Sequence, residues 1–539
     1  MLFSKLLLAA LGGATAALSA HVSRCALNSN RNPAFLNDKS AKFQVNRTGV
    51  PGVDFDIGES YAGRLPIAGP KRSNSSSANE LFFWFFPSRN PDAINEITVF
   101  LNGGPGCSSM AGLLQENGPF LWQPGTYSPQ PNPFSWTNLT NMVWIDQPIG
   151  TGLSSADPGA GLNITNEHDV AVHFAGFWRN FIDTFDMYGY DVYLTGESYA
   201  GQMIPYIGDY FLKQSEHGSD NDYFNLKGIQ LIDPAIGPLG VMEQAPAVQY
   251  LNARRSYFNL NDTFMEHINQ EALYCGFTEY MDKALTFPPK GPIPLPLSMN
   301  ATAGTLHDKC QPWVEIAEAA LYVNPCFDPY HITNFCPFPS NQLGFPTLGW
   351  GPNNYFNRSD VQDALNIGEP RPNFMLCKET EFGLDDSEPS AFRMIPSIIE
   401  RTGNVVIANG ELDFLIMSNG TLAAINNMTW QGLQGFQESP FKGGDNFFVP
   451  YNPTIGPAID ATLSQRRIPS LSVGLVGGGG WYGKTHTERG LTFTTVALAG
   501  HEIPQYAPGA AYRLLEFTLG RVDNLTEVGE FTTVGNCVS

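Results

Sequence analysis

Asp191-Val192-Tyr193-Leu194-Thr195-Gly196-Glu197-Ser198-Tyr199-Ala200-Gly201 decides the fold. A β-branched and aromatic run leads into Gly-Glu-Ser-Tyr-Ala-Gly, and a helix-like segment, Ile204 to Phe211, follows. Strand, sharp turn, helix is the order in which a serine is held on a strained elbow, its hydroxyl at the top of an α/β sheet. Gly196 and Ala200 flank Ser198 where such a turn leaves no room for bulk. Ala200 makes the match to G-x-S-x-G close but not strict. A Gly-rich turn with an incidental serine would read the same way locally, so the remaining chain has to decide.

Upstream, Leu81 to Phe86 and Ile97 to Leu101 are short apolar runs with strand character. The second delivers Asn102-Gly103-Gly104-Pro105-Gly106-Cys107-Ser108-Ser109, a tight loop with exposed amides. Met142 to Ile145, a helical stretch from Glu167 to Phe185, and the run Leu226 to Asp233 continue the rhythm. Strand-then-helix repetition implies an α/β fold with a mostly parallel central sheet and helices on both faces. Residues 238–365 break that rhythm with helix-like pieces, a Pro-rich run and four cysteines, and read as an inserted cap. Downstream, Val405 to Ala408 leads to Asp413, and Phe493 to Leu498 leads to His501. Ser198, Asp413, His501 is the triad order of an α/β-hydrolase and of neither other serine-protease order. His501 would take the Ser198 proton and pass it to the leaving amine, while Asp413 holds the imidazole tautomer. The amides of Gly104 and Tyr199 are the candidate oxyanion donors.

Asn-Gly-Gly-Pro-Gly-Cys-Ser-Ser together with Gly-Glu-Ser-Tyr-Ala-Gly resembles the serine carboxypeptidase family, most closely its secreted fungal members. Gln115-Glu116-Asn117-Gly118-Pro119 and Trp144 to Gly152 fit the same likeness, which spans about residues 80 to 517. It implies release of C-terminal residues from peptides and proteins, with Asn102, the Gly103 amide, Glu116 and Glu197 recognising the substrate's free carboxylate. Two carboxyls at hydrogen-bond distance cannot both be charged, so one must keep a proton. An acidic pH optimum is therefore expected. The likeness also implies a disulfide-stapled cap. The expected pairs are Cys107–Cys377, Cys275–Cys336 and Cys310–Cys326, with Cys25 and Cys537 left to tie the chain ends. Spacing alone fixes none of these pairings. Met203 stands where many members carry an aromatic, and Glu502 where some carry Met. By analogy Glu502 borders the pocket for the substrate's last side chain, where an ionised carboxylate would favour Lys or Arg. An acyltransferase with the same triad, or a non-catalytic partner on the same fold, are the competing readings. A generic lipase or esterase would have no use for Asn102 and Glu197 together.

The bulk composition agrees. The chain has 539 residues, 42% hydrophobic and 15% charged, enough for a large core. A net charge of −21 excludes nucleic acid as a partner and disfavours anionic membranes. Residues 1–20 read as a signal peptide: Lys5, an apolar stretch too short to span a bilayer, then Leu18-Ser19-Ala20. Cleavage after Ala16 or Ala17 is the alternative. Residues 21–78 read as an N-terminal wrap or a propeptide, and the hydrolase core as 79–237 and 366–539. Export is expected, with an acidic vacuole-like compartment as the other destination and no membrane anchor. The even set of eight cysteines reads as disulfides, with no ligand spacing for a metal and no cofactor called for. N-glycosylation sequons begin at Asn46, Asn74, Asn138, Asn163, Asn261, Asn300, Asn357, Asn419, Asn427 and Asn524.

Overall fold

The computed structural model describes residues 33–68, 79–90, 93, 95–156, 164–216, 222–296, 298–299, 310–337, 342–343, 354–378, 385–452 and 478–531. The sheet strands are β1 (Tyr61–Pro66), β2 (Glu80–Phe86), β3 (Glu96–Leu101), β4 (Asn141–Asp146) and β5 (Asp191–Glu197). After them come β6 (Leu226–Ile232), β7 (Val405–Gly410), β8 (Asp445–Val449), β9 (Gly480–Glu488) and β10 (Leu491–Val496). They form one ten-stranded sheet in the order β1-β2-β4-β3-β5-β6-β7-β10-β9-β8. The pairs running from β4 through β3, β5, β6 and β7 to β10 are parallel. The two outer strands on each side are antiparallel.

Parallel strands covered on both faces are largely apolar, and β4, β7 and β10 are buried at every position, the three threonines of β10 included. The period-2 alternation of a strand sorts the β2 aromatics onto opposite faces. Phe83 and Phe85 join the cluster under α1 (Glu167–Phe185), α2 (Ala200–Ser215) and α7 (Ser390–Thr402), while Phe82, Trp84 and Phe86 join the other cluster. α1 meets the sheet with an aromatic ridge: Phe181 lies 5.4 Å from Phe83 and Phe185 lies 5.0 Å from Phe85. Its start is set by the Asn166 side chain, which accepts the Asp169 amide, and its end by Asp186 at a left-handed φ of 53°. On the opposite face Tyr512, Leu514 and Leu515 of α9 (Pro508–Thr518) fill the second cluster.

Between β6 and β7 lie α3 (Ala245–Ala253), α4 (Asp262–Tyr274), α5 (Phe277–Ala284) and α6 (Pro312–Val323). These helices have their own core, with Leu251, Ile268, Met281 and Ile316 at or near full burial. Phe414 and Met417, just after Asp413, are part of it. The Trp313 indole donates to the Phe414 carbonyl at 2.6 Å. α8 (Ser418–Asn427) then closes this side.

Cys107 is joined to Cys377. The pairs expected within 238–365 are corrected: Cys275 bonds Cys310, and Cys326 bonds Cys336. The reason is local. Cys275 ends α4 and Cys310 lies just before α6, and the Glu271 carboxylate accepts the Gln311 amide beside them. Cys326 and Cys336 close a short loop whose first turn is held by the Asn324 side chain on the Cys326 amide. The bridges are sequential rather than nested. Cys25 and Cys537 lie outside the described residues.

Candidate active site

β5 ends at Glu197, and Ser198 adopts a φ of 63°. A non-glycine residue held there costs on the order of 1–3 kcal/mol, which the surroundings must offset. They do so through the backbone. The Ser198 amide donates to the Ile232 carbonyl, and the Ser198 carbonyl accepts from Gly201 and Ala235. α2 then begins at Ala200.

The Gly-rich loop after β3 lies directly against this elbow. A Cβ on Gly103 would sit 2.4 Å from the Tyr199 nitrogen, so only glycine lets the loop approach that amide. The loop is clamped from β4: the Asp146 carboxylate accepts from the Ser108 hydroxyl at 2.7 Å and from the Ser109 and Leu153 amides. Burial pushes Asp146 up to about 6, although these donors pull it down. Tyr199 is fixed at its far end by a 2.5 Å hydrogen bond from its hydroxyl to Asp385. Neither Asp146 nor Asp385 carries a role in the sequence reading, because each acts through a neighbour distant in the chain.

His501 and Asp413 come together from β10 and β7. The imidazole Nδ1 lies 2.8 Å from Asp413 Oδ2, and both residues are buried. Asp413 Oδ1 accepts from the Leu415 and Ile416 amides, and the His501 amide donates to the Tyr330 carbonyl. A Cβ on Gly410 would meet the Gly500 carbonyl at 2.1 Å, so glycine there lets the two loops close on each other. His501 Nε2 has no partner among the described residues. Burial pulls His501 down, but the Asp413 charge and hydrogen bond, helped by Glu502 and Glu116, hold it above the ordinary imidazole range.

Asn102 gathers the two glutamates. Its Nδ2 donates to Glu116 Oε1 and to Glu197 Oε1, each at 3.1 Å, while its Oδ1 accepts the Gly112 amide. Glu116 comes from the helical turn Gly112–Asn117 and Glu197 from the end of β5. The Oε2 atoms of both are buried with no donor among the described residues. Burial raises Glu116, and burial plus the Glu116 and Glu502 charges raise Glu197 well above the carboxylate range. Two adjoining carboxyls that resist ionisation are carboxylic acids able to donate hydrogen bonds. Glu502 is also pushed up, to about 8, by burial against the opposing pull of His501.

Asp233, at the end of β6, is the residue the sequence reading passed over. One carboxylate oxygen each of Asp233 and Asp413 and a ring nitrogen of His501 lie within 4.8 Å of one another. The available signal was positional: like Asp413, Asp233 is an acid just past the carboxyl end of a parallel strand. Among the sequons, Asn46, Asn261 and Asn524 are exposed, whereas Asn138 is buried with its amide on the Pro133 carbonyl. Asn74, Asn163 and Asn300 lie outside the described residues.

A family model described as serine carboxypeptidase matches residues 51–521. A carboxypeptidase Y homologue of Arthroderma benhamiae is 50% identical over 499 residues, covering 92% of this chain and 90% of that protein. The serine-type carboxypeptidase F of Aspergillus niger is 39% identical over 509 residues, covering 91% and 89%. Among solved structures, Kex1(delta)p, a prohormone-processing carboxypeptidase from Saccharomyces cerevisiae, superposes with a TM-score of 0.67 at 22% identity. That match covers 90% of this chain and 98% of the other, and shows a shared fold.

Proposed function

The chain belongs to the serine carboxypeptidase family, and from that premise we propose that it is an exported enzyme that trims peptide and protein C-termini at acidic pH through an acyl-enzyme on Ser198. Its class is that of the family, a serine-type carboxypeptidase hydrolase. His501 Nε2 takes the Ser198 proton as the hydroxyl attacks the scissile carbonyl, and then protonates the departing amino acid. Water, activated by the same nitrogen, releases the acyl group. Asp413 orients the ring, and the Gly104 and Tyr199 amides hold the oxyanion. This chemistry needs no cofactor.

The observation that carries the reading is the Asn102 bridge between Glu116 and Glu197. A site of two charged glutamates would repel a substrate's terminal carboxylate. Two glutamates that keep a proton, beside an asparagine amide and the Gly103 N–H, attract it. Binding then fades as pH rises through the pair's raised values, which is the alkaline limit of activity. The acid limit is His501, which must be neutral to act as base; Asp413 raises that limit, so the working window lies between His501 and the raised carboxyl pair. Glu502, with a pKa of about 8, is uncharged in acid and so contributes little preference for terminal Lys or Arg there.

Residues 238–365 serve as the cap over the cleft. The signal-like residues 1–20 and the −21 charge support export, or delivery to an acidic compartment, without nucleic acid or membrane partners. Among the described residues no helix is long and apolar enough to cross a membrane. The deciding experiment compares a C-terminally free peptide with its amide-blocked twin in acid, using Ser198→Ala as control. Shortening of the free peptide alone, dependent on Ser198, is expected. Equal cleavage of both would remove Asn102, Glu116 and Glu197 from substrate recognition.

A further inference from the structure

Asp233 and Asp413 are fully buried neighbours beside one imidazole, which bonds only Asp413 of the two. Asp233 is held rigidly. Its Oδ1 accepts from the Gly410 amide at 2.8 Å and the Asn409 side chain at 3.2 Å, and its amide donates to the Ala408 carbonyl. With Oδ1 pinned this way, the other oxygen, Oδ2, is buried with no donor directed at it among the described residues. A buried carboxyl oxygen without a donor is satisfied by carrying a proton of its own. Asp413 is the reverse case, receiving two backbone amides and the His501 ring. We propose that Asp233 is a positioning residue of the triad: it keeps a proton on Oδ2 and donates it to the Asp413 carboxylate, moderating the pull of Asp413 on the His501 imidazolium.

The surroundings favour this assignment. Burial, and then the Asp413 charge, push Asp233 well above the carboxylate range against the pull of the Gly410 amide. The other titratable groups facing the site are mostly acids or phenols. They are Glu243 and Tyr250 from the cap side, Asp328 and Tyr330 from the segment before it closes, Glu411 beside Asp413, and Glu116, Glu197 and Glu502 across the site. His331 faces it too, with an imidazole pushed down by burial. Arg254 lies over the Tyr250 ring. Burial keeps most of these carboxyls and phenols uncharged in acid, so the charge that holds the His501 imidazolium there is chiefly that of Asp413. A donor on Asp413 loosens that hold and extends the base's working range toward acid.

The inference rests on the triad reading, and the test separates the two. kcat is measured against pH at saturating substrate for wild type, Asp233→Asn and Asp233→Ala, per site counted by organophosphonate labelling of Ser198. Asp233→Ala should lower kcat roughly 10- to 100-fold, the worth of one hydrogen bond to a charged group. Its KM should hold, and the acid limb of its profile should move to higher pH. Asp233→Asn places an amide N–H where the acid proton sat, because Oδ1 is pinned by its two donors. It should restore most of the lost kcat and leave the acid limb at the wild-type position. An Asp233→Asn limb shifted to lower pH would mean that a negative charge had been removed, and would overturn the proposal. So would an Asp233→Ala enzyme with wild-type kcat and profile. If Asp233→Ala does not fold, the Asp233→Asn limb decides alone. Undiminished turnover in Ser198→Ala or His501→Ala would instead sink the triad reading, an outcome no Asp233 variant can imitate.

Discussion

Two buried carboxyl pairs serve this site, and they are wired differently. Glu116 and Glu197 share a single side-chain donor, the Asn102 amide, and both leave an oxygen unpartnered. Asp233 and Asp413 are held mainly by backbone amides, with an imidazole on one of them. The shared physics is the cost of two charges at close range without water. The wiring decides who bears it. With one donor between them, the glutamates both drift toward the neutral acid and can turn a proton outward to a substrate. With three donors on Asp413, that residue can hold the charge and its neighbour the proton. On the proposed reading, one pair is read in KM and the other in kcat.

The largest way to break this contrast is Glu197→Gln. An amide donates at any pH, so the rise of KM toward neutrality should flatten while the acid limb of kcat stays put. A KM profile unchanged from wild type would remove Glu197 from the binding switch. A smaller effect concerns the fold. Carboxyls with raised folded-state values stabilise below their unfolded values, and that stability is lost as pH rises through the folded ones. Asp146 rises from 3.8 to about 6 and Glu243 from 4.5 to about 7. Asp146 alone is then worth on the order of 3 kcal/mol. Exposed Asp56 and Asp360 move the other way but are solvent-screened. The thermal midpoint should fall by several degrees between about pH 4 and about pH 8. A midpoint that climbs over that range would show that these buried carboxyls are not protonated in the folded state. The smallest effect is expected at Glu502. Glu502→Met should change the ratio of terminal Arg to Leu release only slightly in acid, and more as pH approaches 8. A large change in acid would mean that the carboxyl is charged there.

Much of this was legible in the chain, for reasons that differ by residue. The central strands announce themselves because burial on both faces gives them apolar runs, as in Met142–Ile145 of β4 and Val405–Ala408 of β7. The strand-end positions of Ser198, Asp413 and His501 were readable because each follows a buried strand. The antiparallel strands beyond β10 were not. β9 alternates between partly exposed positions and carries Gly480 and Gly483, so its pairing with β8 and β10 shows no apolar signature. The Cys275–Cys310 and Cys326–Cys336 pairings were not readable because pairing depends on where helices end in space. The strand-end position of Asp233 was visible but its meaning was not, because that lies in Asp413, which only the parallel pairing of β6 with β7 brings near.

The Cys107–Cys377 bridge spans 270 residues. Closing a loop of that length removes roughly 5.6 kcal/mol of unfolded-chain entropy. It also turns the polypeptide into a covalent ring with two tails. Glu116, Glu197, Ser198, Asp233 and the helices of residues 245–323 belong to the ring, while Asn102, Asp413 and His501 belong to the tails. Chain continuity and covalent integrity are thereby uncoupled. A backbone bond cut anywhere inside the ring would yield two chains on a gel after reduction, yet leave every residue of the site on one covalent body.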